Sequence, residues 1–233
     1  MLTVSETSKR DILRYFSIPE SRIDVIYNAI DERLGEAPSD AEMAQVGERY
    51  QLNDPFVLYA GNIKPHKNLE RLIEAFHTLR RGGLENVKLL IIGDEISKYA
   101  TLRRAVQRHK LHKHVRFFGF VSDKTLASLY RLASVFVFPS LYEGFGLPPL
   151  EAMAAGTPVI TSNVSSLPEV VGDAALLVDP LQPEDIAEAM RRVLTDPALR
   201  EDLRRRGLAR AQHFSWERSI RRVRDIYGEV LGA

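Results

Sequence analysis

Short apolar runs alternate with longer amphipathic segments along most of the chain. Six runs have the continuous apolar character of strands that are buried on both faces. They are Phe56–Ala60, Val87–Ile92, Val115–Phe118, Ser134–Phe138, Pro158–Thr161 and Ala175–Val178. Helix-like segments lie between them, at Leu69–Arg81, Lys98–His109, Lys124–Leu132 and Leu150–Ala155. The alternation predicts an α/β fold in which a parallel sheet is covered by helices on both faces.

Both ends of the chain depart from this alternation. Residues 1–30 have the pattern of a strand, a helix capped by Ser5 or Thr7, and a second strand. A polar stretch with Pro38 and Asp40 follows and is typical of a linker. The C-terminal end is predicted to be helical. Its helices are expected at 185–194, 197–212 and 216–231, the last with Ser215 as a candidate N-cap.

Composition narrows the classes of function. The chain has 233 residues, 45% hydrophobic and 27% charged, which is typical of a globular protein. A net charge of +1 gives no bulk attraction to nucleic acid, and the absence of cysteine excludes disulfides and thiolate metal sites. No apolar run approaches the about 20 residues that span a bilayer, and the N-terminus has no secretory signal. A cytoplasmic protein that binds no nucleic acid is expected.

Two glycine turns each follow a predicted strand. One begins at Gly61 and runs through Lys67 to Asn68, a candidate helix N-cap, and the other contains Gly144 and Gly146. Ligands of open parallel sheets bind beyond the carboxyl ends of the strands. Both turns are therefore expected at the same edge of the sheet. Taken alone, Lys67 is equally consistent with an ordinary solvated lysine at a helix start.

The segment from Glu143 to Glu151 carries the strongest chemical signal. It places two carboxylates around a glycine turn, between an apolar run and a helix-like run that starts at Pro148-Pro149. Such a turn exposes backbone N–H groups at a helix N-terminus, where anions bind. Glu151 alone is also consistent with mild stabilisation of a helix N-terminus, about 0.3–1 kcal/mol. The acids and the turn together favour a ligand with phosphates and hydroxyls, such as a nucleotide sugar.

This segment resembles the Glu-x7-Glu signature of the retaining glycosyltransferases of family 4. The similarity continues through 152–160, 167–171 and 176–179, and the loop 61–68 resembles the phosphate loop of that family. The resemblance implies the Rossmann-like C-terminal half of a GT-B fold. Residues 1–30 would be a remnant of the N-terminal GT-B domain, 31–233 the nucleotide-sugar-binding domain, and 216–231 a helix that crosses back to the missing domain.

The resemblance also implies a role for each matching position. Glu151 would bind the ribose, Glu143 the donor sugar, and Lys67 the diphosphate as the leaving group departs. Gly61 and Asn62 would lie at the phosphates. Backbone N–H groups would hold sugar hydroxyls and the distal phosphate, and a further loop would border the base. The N–H groups belong to Gly144, Phe145, Gly146 and Leu147, and the loop that borders the base contains Gly119, Phe120 and Val121. No cofactor and no metal are implied, since the helix dipole and Lys67 supply positive charge.

One position departs from the family pattern. Many relatives have an arginine directly after the first glycine, where this chain has Asn62. One phosphate-facing cation is therefore missing or is replaced by Lys64 or His66. A subgroup of mannosyltransferases shares the Gly-Asn form, which favours GDP-mannose over another nucleotide sugar as the donor.

Three functions remain open at this point. The first is donor binding and retaining hexosyl transfer, specifically mannosyl transfer, to a saccharide or lipid-linked acceptor. This chain alone would be inactive and would need the N-terminal domain in cis or in trans, as in a split enzyme. The full enzyme would be cytoplasmic or peripheral at the inner membrane surface. The second is a non-catalytic nucleotide-binding or interaction module. The third, a nucleotide-sugar epimerase, needs acid and base groups that the sequence does not reveal.

Overall fold

A computed structural model describes residues 1–31, 37–94 and 96–232. Eight strands are found in these residues. They are β1 Leu2–Thr3, β2 Asp24–Val25, β3 Phe56–Ala60, β4 Lys88–Ile92, β5 Val115–Phe118, β6 Val135–Phe138, β7 Val159–Ser162 and β8 Leu176–Val178. The predicted apolar runs are thus all strands.

Ten α-helices accompany the strands in the described part of the chain. They are α1 Glu6–Tyr15, α2 Asp40–Arg49, α3 Leu69–Arg81, α4 Ala100–Arg108, α5 Asp123–Leu132, α6 Leu147–Ala154, α7 Leu167–Val171, α8 Pro183–Thr195, α9 Pro197–Ala211 and α10 Trp216–Leu231. Short 3₁₀ turns are formed by Glu20–Arg22, Pro65–Lys67 and Ile96–Lys98. The helical C-terminus is as predicted, and Ser215 caps α10 by accepting from the N–H of Arg218.

The central sheet has six parallel strands in the order β5-β4-β3-β6-β7-β8. Every residue of β3 is buried, because helices cover both faces of the sheet and a middle strand has no solvent side. The predicted α/β fold with a Rossmann-like parallel sheet is confirmed. A second, two-stranded parallel sheet joins β1 to β2, with Leu2 opposite Asp24.

The prediction of a linker was wrong. The polar stretch around Pro38 and Asp40 leads into helix α2 rather than a linker, although its residues 32–36 lie outside the described part. Ser39 and Glu42 form a capping box, in which the Ser39 hydroxyl accepts from the Glu42 N–H and the Glu42 carboxylate accepts from the Ser39 N–H. Helix α6 starts at Leu147, as the Pro148-Pro149 pair indicated, because proline fits the first helical turn.

Candidate functional site

The crevice of the sheet lies between β3 and β6. From β3 the chain proceeds to β4 and β5 on one side, and from β6 to β7 and β8 on the other. The strand order thus reverses between these two neighbours, and α/β sheets bind ligands outside the carboxyl ends of the strands at such a point. The loop after β3, residues 61–68, and the loop after β6, residues 139–146, both leave the sheet there.

A buried ion pair joins the two loops. Lys67 Nζ lies 2.5 Å from Glu143 Oε1, and the two side chains are only 10% and 13% exposed. The same ammonium lies over the ring of Phe138, 5.0 Å from its centroid. This contact confirms that both glycine turns occupy one edge of the sheet. The Glu143 carboxylate thus balances the charge of the Lys67 ammonium in this arrangement.

The loop after β3 is held by side chains from outside it. Asn68 was expected to cap α3, but its side chain makes no capping bond. Instead its buried amide donates to the carbonyl oxygens of Pro139, at 3.0 Å, and Pro180, at 2.7 Å. Two tertiary acceptors have replaced the local one, so Asn68 ties this loop to the loops after β6 and β8. Tyr59 fixes the start of the loop by donating to the carbonyl of Asn62 at 2.9 Å.

Most other polar residues of this loop point to solvent. Asn62, Lys64 and His66 are exposed, whereas Gly61 is half-buried. Lys67 is therefore the one cation of residues 61–68 that is buried at the crevice. Lys64 and His66, the expected substitutes for the missing arginine, are exposed, and within the described residues no side-chain contact joins either of them to Glu143.

The glycine turn after β6 is held in an unusual backbone conformation. Gly146 has φ of 111°, and a Cβ placed there would lie 2.8 Å from a side-chain carbon of Leu167. Phe145 buries its ring against Tyr27 and Phe214, with centroids 6.1 and 5.6 Å away. The turn therefore has glycine where a side chain would collide, and it leads directly into the first turn of α6.

Glu151 lies in the second turn of α6 and is half-buried. Its Oε2 accepts a hydrogen bond of 2.9 Å from the hydroxyl of Tyr130, which is fully buried. Burial raises the pKa of the Glu151 carboxyl, and the negative charges of Asp123 and Asp31 raise it further, whereas the Tyr130 hydrogen bond lowers it. A carboxylate held in this way is a strong acceptor for hydroxyl groups.

The loop after β5 contains the predicted base-binding residues Gly119, Phe120 and Val121. Phe120 is 92% exposed, which is unusual for a phenylalanine. Asp123 begins the next helix and lies close enough to Glu151 to influence its pKa. The loop therefore approaches the Glu151 side of the crevice and leaves one aromatic ring uncovered.

Residues 1–30 pack onto the same edge of the sheet. The Glu169 carboxylate accepts from the N–H groups of Glu6, at 2.8 Å, and Thr7, at 3.2 Å, at the start of α1. The hydroxyls of Ser5, Ser8, Ser165 and Ser166 contact carbonyl oxygens of the glycine turn. These four serines were not predicted as functional residues. Apart from Ser5 as a candidate N-cap, no local pattern distinguishes them, since their partners lie far away in the chain.

Two further observations bear on cofactors and membranes. Within the described residues, no group of three or more His, Cys, Asp or Glu side chains is arranged to hold a metal ion. The expectation of a metal-independent site stays a prediction. None of the described helices combines the length and the apolar character that crossing a membrane requires.

The strand order and the position of these residues define the chain as a Rossmann-like α/β domain whose crevice lies at the switch point. It belongs to the glycosyl transferases group 1 family, whose model matches residues 42–210. The resemblance of the Glu143–Glu151 segment to glycosyltransferases is thereby confirmed.

Individual relatives extend the match to almost the whole chain. It is 39% identical over 229 residues to the O-antigen chain mannosyltransferase B of Escherichia coli, covering 97% of this chain and 60% of that protein. A sucrose-phosphate synthase from Thermosynechococcus elongatus matches with a TM-score of 0.84 and 29% identity, over 99% of this chain and 58% of that one. Anabaena Alr3699/HepE in complex with UDP-glucose matches with a TM-score of 0.88 and 21% identity, over 98% and 63%. The chain thus spans roughly three fifths of the length of these proteins.

Proposed function

We propose that this chain binds a nucleotide diphosphate–hexose and forms the donor half of a retaining glycosyltransferase of family 4. The observation that carries the proposal is the buried Lys67–Glu143 pair at the switch point, directly beside the start of α6. A buried pair of charges is costly to desolvate and stabilises a fold only weakly. Its position at the crevice favours a functional reason for keeping it.

In this proposal each end of the donor meets a different part of the crevice. The ribose hydroxyls donate to Glu151, which burial and Tyr130 hold in place. The base lies at 119–121, where the exposed Phe120 offers a stacking surface. The phosphates lie between the loop at Gly61 and Asn62 and the N–H groups of 144–147, at the positive end of α6.

In this proposal, Lys67 and Glu143 exchange each other for groups of the donor when the donor binds. In the empty crevice each charge neutralises the other. When a diphosphate enters, Lys67 turns to the phosphate oxygens, and the Glu143 carboxylate becomes free to accept from hydroxyls of the donor sugar. As the bond between sugar and phosphate breaks, negative charge grows on the diphosphate, and Lys67 stabilises it electrostatically. No metal ion takes part in this proposal.

Mannose is the sugar we propose, with GDP-mannose as the donor. The support is the Gly61-Asn62 form of the loop and the similarity to an enzyme named O-antigen chain mannosyltransferase B. The Anabaena protein, whose structure holds UDP-glucose, makes UDP-sugars the competing donors. A thermal-shift screen with GDP, UDP, ADP and their sugars tests this choice. GDP-mannose is expected to raise the Tm most, and a larger rise with UDP-glucose would contradict the choice.

We propose that transfer needs a second domain that binds a saccharide or lipid-linked acceptor, supplied in cis or in trans. Trp216 and Tyr227 have exposed side chains on α10. In this proposal α10 crosses back to the second domain, and that domain covers these two side chains. The full enzyme would work in the cytoplasm or at the inner membrane surface. Incubation of the purified chain with GDP-mannose and an acceptor is expected to give no product. Product from this chain alone would contradict the requirement.

A non-catalytic nucleotide-binding module is the alternative. It explains Glu151 but gives no reason for burying Lys67 against Glu143. Addition of an N-terminal GT-B domain as a separate chain distinguishes the two. Restored transfer supports a glycosyltransferase, whereas tight nucleotide binding without any transfer favours the module.

A further inference from the structure

Three consecutive carbonyl oxygens of the glycine turn accept hydrogen bonds from serine hydroxyls. Ser165 and Ser166 donate to the Glu143 carbonyl at 2.6 and 2.9 Å. Ser166 also lies 2.7 Å from the Phe145 carbonyl. The Gly144 carbonyl between them is approached from α1, by the hydroxyl of Ser5 at 2.7 Å and of Ser8 at 3.2 Å. We call these four side chains the serine cradle.

By holding these carbonyl groups, the cradle also determines the direction of the N–H groups in the same peptide units. In a trans peptide the N–H is directed away from the carbonyl of the preceding residue. With the carbonyls of 143–145 turned to the serines, the N–H groups of Gly144, Phe145 and Gly146 are turned away from them. Within the described residues, these three N–H groups make no hydrogen bond to another backbone group. No backbone acceptor within the described residues therefore competes with a ligand for them.

The cradle is built from two separate parts of the chain, and each is itself held in place. Ser5 is fully buried and caps α1 by accepting from the Ser8 N–H at 3.0 Å, so one hydroxyl serves both the helix and the turn. Glu169 binds the first N–H groups of α1 from the other side. Ser165 has a left-handed backbone with φ of 61°, which costs energy in a residue other than glycine.

We propose that Ser5, Ser8, Ser165 and Ser166 are positioning residues that orient the peptide groups of the glycine turn toward the sugar and distal phosphate of the donor. This inference rests on the proposed function. Fixed dipoles bind a developing or existing negative charge without the cost of reorienting when the ligand arrives. Residues 1–30 thereby contribute to donor binding without touching the donor, through α1.

Calorimetric titration of two ligand pairs tests the cradle. GMP does not reach the glycine turn in the proposed arrangement, whereas GDP-mannose does, and UMP with UDP-glucose forms a second pair. In Ser5→Ala the affinity for the nucleotide sugar is expected to fall roughly five- to tenfold, the effect of one hydrogen bond. The affinity for the monophosphate should stay unchanged. At the second hydroxyl of α1, Ser8→Ala should also lower nucleotide-sugar affinity, and Ser8→Thr, which restores a hydroxyl, should recover it.

Two further variants separate positioning from folding. Ser39→Ala removes the N-cap of α2, far from the glycine turn, and should leave both affinities unchanged. Ser165→Gly removes a cradle hydroxyl while relieving the left-handed backbone, so it should weaken nucleotide-sugar binding without lowering the Tm.

Equal loss for both ligands of a pair, or no loss in Ser5→Ala and Ser165→Gly, would overturn the cradle as a positioning device. If the unaltered chain bound none of the four ligands, the proposed function itself would be contradicted, and the cradle with it.

Discussion

The loops after β3 and β6 lie side by side in the crevice but present positive charge in different ways. The loop after β3 presents it on a side chain, Lys67, which is buried against Glu143. The loop after β6 presents it as backbone N–H dipoles. The dipole of α6 adds to them, and serine hydroxyls from remote segments orient them. Side-chain charge can change partners when a ligand arrives, whereas a peptide dipole must be held in place beforehand.

This difference explains what surrounds each loop. Lys67 needs only a counter-ion, Glu143, and a ring beneath it, Phe138. The glycine turn needs a scaffold from two distant parts of the chain, residues 5–8 and 165–166. The two loops should therefore respond differently to substitution. Loss of the charge should affect binding in proportion to the ligand's charge, and distortion of the turn should affect every ligand that reaches it.

The largest expected effect comes from Lys67→Ala. A hydrogen bond to a charged group contributes about 1.5–3 kcal/mol, so GDP affinity should fall roughly 10- to 100-fold. Guanosine affinity should change little, because guanosine has no phosphate. Titration calorimetry measures both. Lys64→Ala is the matched control, since Lys64 is exposed on the same loop, and it should leave both affinities nearly unchanged.

Lys67→Ala also leaves Glu143 buried without a cation, which costs about 3–5 kcal/mol of stability when one partner of a buried pair is removed. The double variant Lys67→Met with Glu143→Gln removes both charges. It should recover most of the lost Tm in thermal melting while GDP affinity stays low. Recovery of GDP affinity together with the Tm would show that the single variant failed through folding alone.

The next largest effect is expected from Gly146→Ala, which changes the backbone of the other loop without changing any charge. The new Cβ would approach Leu167 to 2.8 Å at a φ of 111°. Strained backbone of this kind costs about 1–3 kcal/mol, and the turn is expected to shift. GDP-mannose should bind more weakly and GMP as before. Gly47→Ala is the control, because Gly47 lies in α2, outside the proposed site, and a Cβ there meets no atom within 4 Å.

The smallest effect is expected from Glu151→Gln. Burial raises the pKa of Glu151 above its ordinary value of 4.5, so its stabilising contribution is fully present at low pH and is lost as the pH rises through the raised pKa. Glutamine removes this loss and still accepts from Tyr130. The Tm at pH 7 should therefore rise, because glutamine carries no charge for burial to penalise. Melting curves between pH 4 and 8 test this, and a lower Tm at pH 7 would contradict it.

Glu151→Gln also distinguishes binding of the ribose from binding by the two loops. Glu151 is proposed to bind the ribose, which GMP and GDP-mannose share. Its loss should therefore weaken both ligands by the same factor, unlike Lys67→Ala or Gly146→Ala. Unequal losses would mean that Glu151 acts on the phosphates or the sugar.

Much of this architecture was readable from the sequence because it follows from short-range patterns. Apolar runs identified the strands. Because the carboxyl ends of parallel strands share one edge of the sheet, the loops that contain Lys67 and Glu143 were predicted to lie at the same edge. The helix α2 was also readable, since Ser39 and Glu42 have the spacing of a capping box, but Pro38 and the polar composition favoured a linker.

The rest depended on contacts between distant residues. Asn68 has the sequence context of a helix cap, yet Pro139 and Pro180 offer it better acceptors. The bond from Ser5 to Gly144 spans 139 residues, and neither residue belongs to a periodic pattern that would mark it. Side-chain hydroxyls that orient a remote backbone become visible only once the fold brings the two segments together.

Calorimetric titration of the unaltered chain with GMP, GDP and GDP-mannose tests the central claim most directly, namely that the two loops together form one donor site. We predict that the affinity rises from GMP to GDP, because Lys67 engages a second phosphate. We also predict that GDP-mannose binds at least as tightly as GDP. Equal affinity for GMP and GDP, or no binding of any of the three at millimolar concentration, would contradict it.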